Sequence, residues 1–369
     1  MCRCCLGGNN LNATFAINAK ARRSTGRGNV MPARTNLEAK LMFKSPALDE
    51  ELAGQQQFLK TTGTLLIGRD RELKRIDTYL ALKEASFPLI IQATGGTGKS
   101  ALMARAAQKI APIFSLQKEG VTESPLCAKS DSGGILIYRF VGATPRSWQP
   151  FTFLEDLIMQ ISMAYDHESP ALPEEGGLRN VAALFHLQLE RATRERPLTI
   201  LIDAIDQFNS TVPVQYSDIF PKQLPAHVKM VISVLEGQDA DQLADIFPQS
   251  PKLQLEPLSP CACGNVLDAL VSPKKLTREQ RDAILEKATE SGLPLWLTLA
   301  APIAKRLDPG DIPPALPGTI KELARYVIQD MAGRHGTDIT MAYIRYLKLA
   351  RYGLSGGSIS VCLPKPWIS

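Results

Sequence analysis

The run Ala93-Thr94-Gly95-Gly96-Thr97-Gly98-Lys99-Ser100 constrains this chain more than any other segment. It follows the apolar stretch Pro88-Leu89-Ile90-Ile91 and precedes the helix-forming residues 101–109. Strand, glycine-rich loop and helix in that order make a phosphate-binding loop. Backbone N–H groups of such a loop, with the helix N-terminus that Ala101 continues behind them, hold a β-phosphate. Lys99 reaches the β/γ oxygens, and the Ser100 hydroxyl ligates Mg2+. Ala93 stands where the first glycine is usual; alanine fits there if its φ is negative. The expected ligand is therefore ATP or GTP with Mg2+.

A second ligand for the Mg2+ shell, a carboxylate, comes from Pro197-Leu198-Thr199-Ile200-Leu201-Ile202-Asp203, a β-prone run ending in Asp203. Its side chain should stand at the C-terminal edge of a parallel strand, where open α/β sheets bind nucleotides. Ala204 follows instead of a second acid, which leaves Asp206 as the candidate water-orienting group. Further strands read at 135–140, 228–234 and 253–255, separated by helical stretches at 153–165, 180–195 and 239–247. Strands alternating with helices predict an α/β fold, a parallel sheet with helices on both faces.

With these segments assembled, the chain resembles the STAND class of P-loop NTPases, specifically the NACHT type. Within that class it looks closest to the nephrocystin-like and telomerase-associated branch, whose members carry WD or TPR repeats. The resemblance spans about residues 61–359. Leu66-Ile67-Gly68-Arg69-Asp70-Arg71-Glu72 resembles the family's Gly-Arg motif, which implies that Ile67, Gly68 and Arg69 lie against adenine. Arg139-Phe140-Val141-Gly142-Ala143-Thr144-Pro145, Leu201-Ile202-Asp203-Ala204-Ile205-Asp206-Gln207 and the sensor strand through Ser233 resemble the segments that follow. Ser291-Gly292-Leu293-Pro294-Leu295 resembles the Gly-x-Pro motif, implying that Pro294 touches the base. The resemblance also implies an AAA-like ATPase core in which the sensor strand separates the Walker A and Walker B strands. Two departures weaken the expectation of fast hydrolysis: Val234-Leu235-Glu236 follows Ser233 where many members place an arginine, and Gln207 replaces a further acid. The family's histidine that reads the β-phosphate has no counterpart in this sequence.

Charge is unevenly placed. Residues 1–44 hold eight Lys and Arg against Glu38, a surplus of +7 in a chain whose total is +5, so the remainder is slightly acidic and carries no basic nucleic-acid signal. The N-terminal segment is Gly-, Asn- and Ala-rich and reads as a disordered tail rather than a presequence. Met1-Cys2-Arg3-Cys4-Cys5 admits palmitoylation or an ill-defined start. Seven cysteines without a zinc spacing suit a reduced cytoplasmic protein, and His167, His186, His227 and His335 are scattered and take no role. No apolar stretch approaches a transmembrane length.

The expected organisation is a tail and linker over 1–60, the NTPase core over 61–258, and a helical subdomain over 259–308. A Pro-rich linker with the truncated start of a winged helix, near 346–354, fills 309–369. Residues 118–134, polar and Gly/Ser-rich, read as a surface loop. Thr277 and Gln280 predict a capping box. The leading functional expectation is an ATP/ADP switch with slow or no hydrolysis, serving a signalling or assembly module with protein partners or self-association. The alternatives are a binding-only scaffold, in which nucleotide is a structural ligand, and an origin-recognition-like AAA+ ATPase.

Overall fold

The computed structural model describes residues 46–114, 128–129, 134–172, 177–209 and 213–349. Six strands form one sheet: β1 (Leu89–Ala93), β2 (Ala128–Lys129), β3 (Ile135–Phe140), β4 (Leu198–Asp203), β5 (Val228–Leu235) and β6 (Lys252–Gln254). Their spatial order is β2-β3-β4-β5-β1-β6, parallel throughout except for β2 against β3. β5 therefore lies between the strand that enters the glycine loop and the strand that ends in Asp203, as the resemblance implied.

The central strands are apolar on both faces because both are covered. Ile90, Ile135, Ile137, Ile200, Ile202, Met230 and Ile232 point to one core, against α4 (Pro150–Ala164), α5 (Gly177–Leu189) and α6 (Gln238–Ile246). Leu89, Ile91, Leu136, Leu201 and Val231 point to the other, against α1 (Pro46–Thr62), α2 (Asp70–Leu80) and α3 (Lys99–Phe114). Alternation along each strand is the period-2 geometry of the pleat. Two 3-10 turns, Ile205–Gln207 and Tyr216–Asp218, fill the path from β4 to β5.

A third core belongs to the helices α7 (Pro260–Val271), α8 (Arg278–Ser291), α9 (Pro294–Ala304) and α10 (Ile320–His335), and α11 (Thr337–Leu349) packs against α10. Trp296, Leu297, Leu267 and Leu323 are its fully buried centre. Thr277 and Gln280 form the capping box at the start of α8, each side chain accepting the other's backbone N–H at 3.2 Å. Gly292 ends α8 at φ +63, and Pro294 opens α9.

The structure corrects three expectations. Residues 46–60 are a helix, not linker: Leu48, Leu52 and Leu59 of α1 are buried, with Glu51 and Gln55 buried beside them. Ala128–Lys129, inside the expected surface loop, adds an antiparallel edge strand to β3. The Pro-rich residues 309–317 form neither helix nor strand, yet they pack, with Leu316 buried and the Pro317 carbonyl accepting the Trp296 indole N–H at 2.9 Å. The tail over 1–45, and the winged-helix start beyond 349, lie outside the described residues.

Candidate nucleotide-binding site

β1 ends at Ala93 and α3 begins at Lys99, so residues 94–98 must reverse direction tightly. Gly96 and Gly98 do so at φ +82 and +93, where a side chain would be strained. The Thr97 hydroxyl donates to the Thr94 carbonyl and closes the loop. The Lys99 ammonium donates to the carbonyls of Ala93 at 2.8 Å and Thr94 at 3.2 Å. Burial lowers its pKa, while Asp206, Asp203 and Glu236 act in the other direction.

Asp203 closes β4 behind the loop and is fully buried. It is hydrogen-bonded to the Ser100 side chain and accepts from the Ser233 hydroxyl. Burial lifts its carboxyl above the usual carboxylate range; the two serine hydroxyls and Lys99 hold it down in part. The Ser233 oxygen also accepts the Ala204 N–H at 2.9 Å, so β5 fixes both Asp203 and the residue after it. Ala204 is left-handed at φ +56 and turns the chain into the 3-10 segment that carries Asp206. Asp206 accepts the Leu235 N–H at 2.9 Å, and burial raises its carboxyl too.

The two halves of the chain meet over the loop. The Leu295 N–H, at the first turn of α9, donates to the Gly96 carbonyl at 3.2 Å. A Cβ on Gly96 would meet the Leu295 Cβ at 3.0 Å and the Ile320 Cδ1 at 3.4 Å. From the other side the Arg69 guanidinium, buried, donates to Glu72 and to the Thr97 carbonyl, both at 3.1 Å.

Between these elements lies a cleft of about 640 Å3. Ile67, Arg69, Gly95, Gly96, Thr97, Gly98, Lys99, Ser100, Ala101, Asp206 and Pro294 all line it. The other four expected site residues do not line it: Ala93 and Asp203 are buried, and Gly68 and Thr94 are exposed. Ala93 and Thr94 contribute the carbonyls that hold Lys99, Asp203 is buried behind Ser100, and Gly68, at φ +72, packs on Ala262 of α7. Sequence reasoning missed Thr61 and Thr62 of α1, Val266 and Leu270 of α7, and Leu295 and Thr298 of α9, which also line the cleft. The spacing of four between Val266 and Leu270 is a helical signal, but it reads equally as core. Ser233 stood in the sensor segment with no role attached; its two hydrogen bonds supply one.

Ser100 and Asp203 fit a Mg2+ ion, which takes one or two protein oxygens and completes its shell with phosphate and water. Glu236, the residue after β5, accepts from the Gln254 amide, and among the described residues Arg69 is the arginine that lines the cleft.

No family model matches the chain. It is similar to the mouse (Mus musculus) NACHT domain- and WD repeat-containing protein 1, at 22% identity over 274 residues, covering 73% of this chain and 16% of that protein. It is also similar to the human (Homo sapiens) NACHT and WD repeat domain-containing protein 2, at 22% over 330 residues, covering 85% of this chain and 18% of that protein. The chain thus spans less than a fifth of the length of these relatives. Among solved structures it is weakly similar to a chain of Drosophila ORC bound to DNA, with TM-score 0.37 and 12% identity over 79% of this chain and 65% of that one. A similar match is to domain III of the Thermotoga maritima replication initiation protein DnaA, with TM-score 0.36 and 12% identity over 84% of this chain and 96% of that one.

Proposed function

We propose that this chain, a P-loop NTPase of NACHT type, is a switch set by adenine nucleotide and Mg2+ and reset by slow hydrolysis or by none. The observation that carries this reading is the Leu295 N–H on the Gly96 carbonyl, which rests the helical subdomain on the phosphate loop. A phosphate chain held by that loop acts on the same backbone that α9 touches, so triphosphate and diphosphate favour different seats for α9.

Each residue takes a role in this reading. The loop N–H groups and Lys99 hold the phosphates, Ser100 and Asp203 hold Mg2+, and bound Mg2+ neutralises charge on the phosphate oxygens. Ile67, Arg69 and Pro294 wall the nucleotide. The apolar side of the cleft, with Leu66, Leu258, Val266 and Leu270, presents no carboxylate to pair with the N–H edge of guanine. The Thr64 and Thr298 hydroxyls there donate to nearby carbonyls, at 2.9 and 3.0 Å. Adenine suits such a wall better. Asp206 orients water. In the wider reading the chain belongs to the branch that carries WD or TPR repeats and gates a cytoplasmic signalling or assembly complex through protein partners or self-association.

A binding-only scaffold is the second reading, favoured by Glu236 just after β5 and by the hydrogen bond that already occupies Asp206. Single-turnover hydrolysis with equilibrium binding decides. The switch predicts turnover of about 10⁻⁴–10⁻² per second, as in unassisted P-loop enzymes. Asp206→Asn should lower turnover and keep ATP affinity, whereas Asp203→Asn should weaken Mg2+-nucleotide binding itself. Turnover of tens per second overturns the switch reading; unchanged turnover in Asp206→Asn removes that residue from the mechanism.

A further inference from the structure

The helix that precedes the nucleotide motifs reaches the site at three places. At its C-terminal end, Thr61 and Thr62 line the cleft. Its Leu59 carbonyl accepts the Gln108 amide of α3, the helix that begins at Lys99, at 2.8 Å. In its middle, Gln55 is fully buried against β3.

We propose that Gln55 is a positioning residue for the metal-binding end of the cleft, coupling the seat of α1 to Mg2+-nucleotide binding. The inference rests on the cleft being a nucleotide site. The Gln55 amide oxygen accepts the Phe140 N–H at 2.8 Å, and its nitrogen donates to the Phe140 carbonyl at 3.1 Å. One side chain therefore satisfies both backbone groups of the last β3 residue, as a neighbouring strand would. β2 pairs only with Ile135 and Leu136, so Phe140 lies beyond its reach. Across the sheet Phe140 is the register partner of Asp203, and the next residue, Val141, donates its N–H to the Asp203 carbonyl at 3.0 Å. The end of β3 is thus held between the Gln55 amide and the backbone of the proposed metal ligand.

The rest of the polar seat of α1 is loose. Arg139 and Glu51, both buried, stand 3.9 Å apart. Among the described residues, three Arg139 nitrogens and one Glu51 oxygen have no hydrogen-bond partner. A buried pair made so loosely holds little. The two hydrogens of the Gln55 nitrogen are shared among the Phe140 carbonyl, Glu51 at 3.0 Å and the Thr144 hydroxyl at 3.3 Å, so its amide is the directional part of the seat. A metal ligand tolerates displacement of only about 0.5 Å, whereas the strand that enters the phosphate loop, β1, pairs with β5 and β6 and not with β3.

Binding of ADP to the full chain, by calorimetry with Mg2+ and again in EDTA, separates these dependences in wild type, Gln55→Met and Thr144→Val. Thr144→Val removes one acceptor for the amide and keeps the methyl that packs over Gly54. Gln55→Met should weaken Mg2+-ADP about tenfold, inside the usual range of coupling between sites, and change metal-free ADP less than about twofold. Thr144→Val should move the same quantity in the same direction by less, and it carries the test alone if Gln55→Met does not fold. Equal losses with and without metal, or none in either variant, overturn the proposal. A wild-type chain that binds no ADP removes the nucleotide site itself and this inference with it.

Discussion

Asp203 is under two opposed demands. As the proposed metal ligand it must be ionised, yet burial favours its protonated form, and the Ser100 and Ser233 hydroxyls and Lys99 oppose that. Its folded pKa lies above that of the unfolded chain, so the folded state binds the proton more tightly. Stability without nucleotide therefore falls as pH rises from the ordinary carboxylate range through the folded pKa. Asp203→Asn removes that dependence. In nucleotide-free protein it should melt higher than wild type near neutral pH, by a few degrees for ~1 kcal/mol. The difference should shrink toward pH 4, and Mg2+-nucleotide should no longer stabilise the variant. Melting curves across pH 4–8 check the sign; a variant that melts lower than wild type at neutral pH refutes it. Lys99 is the mirror case, a cation whose pKa burial lowers and which two loop carbonyls and three acidic groups keep in place.

Among elements, the contact between α9 and the phosphate loop is the one on which the proposed switch depends. Gly96→Ala would place a Cβ at φ +82, 3.0 Å from Leu295. The left-handed backbone alone costs about 1–2 kcal/mol, and α9 must also shift. Gly95 meets nothing within 4 Å, so Gly95→Ala should leave stability within about 0.5 kcal/mol of wild type. Denaturant unfolding of the pair measures this; equal effects would mean that α9 does not rest on Gly96. None of the contact is visible in the sequence, where both glycines read only as loop. What was legible had a local cause: the loop between a β run and a helix run, Asp203 at a strand end, the capping box of α8, the strand–helix alternation. What was missed had a tertiary one. The polar run Gln55-Gln56-Gln57, and a buried face that includes Glu51 and Gln55, hide the helical period of α1. β2 exists only through its pairing with β3. Arg69, expected against adenine, also bridges Glu72 and the loop backbone, a role that no spacing encodes.

Over the whole molecule, a five-stranded parallel sheet with one antiparallel edge strand presents its C-terminal ends to a helical subdomain, and the cleft between them gathers eleven of the fifteen residues assigned to the site from sequence. The described residues contain no helix long and apolar enough to cross a membrane. The proposed chemistry of the cleft depends on nucleotide held there through Lys99. Thermal melting with and without Mg2+-ATP tests that binding most directly. Ligand at ~100 times Kd should add about 2.7 kcal/mol of stability, which in a domain of this size raises Tm by roughly 5–10 °C. Lys99→Ala should abolish the shift. A wild-type chain whose melting ignores both ATP and ADP, or a Lys99→Ala chain that keeps the full shift, would contradict the account.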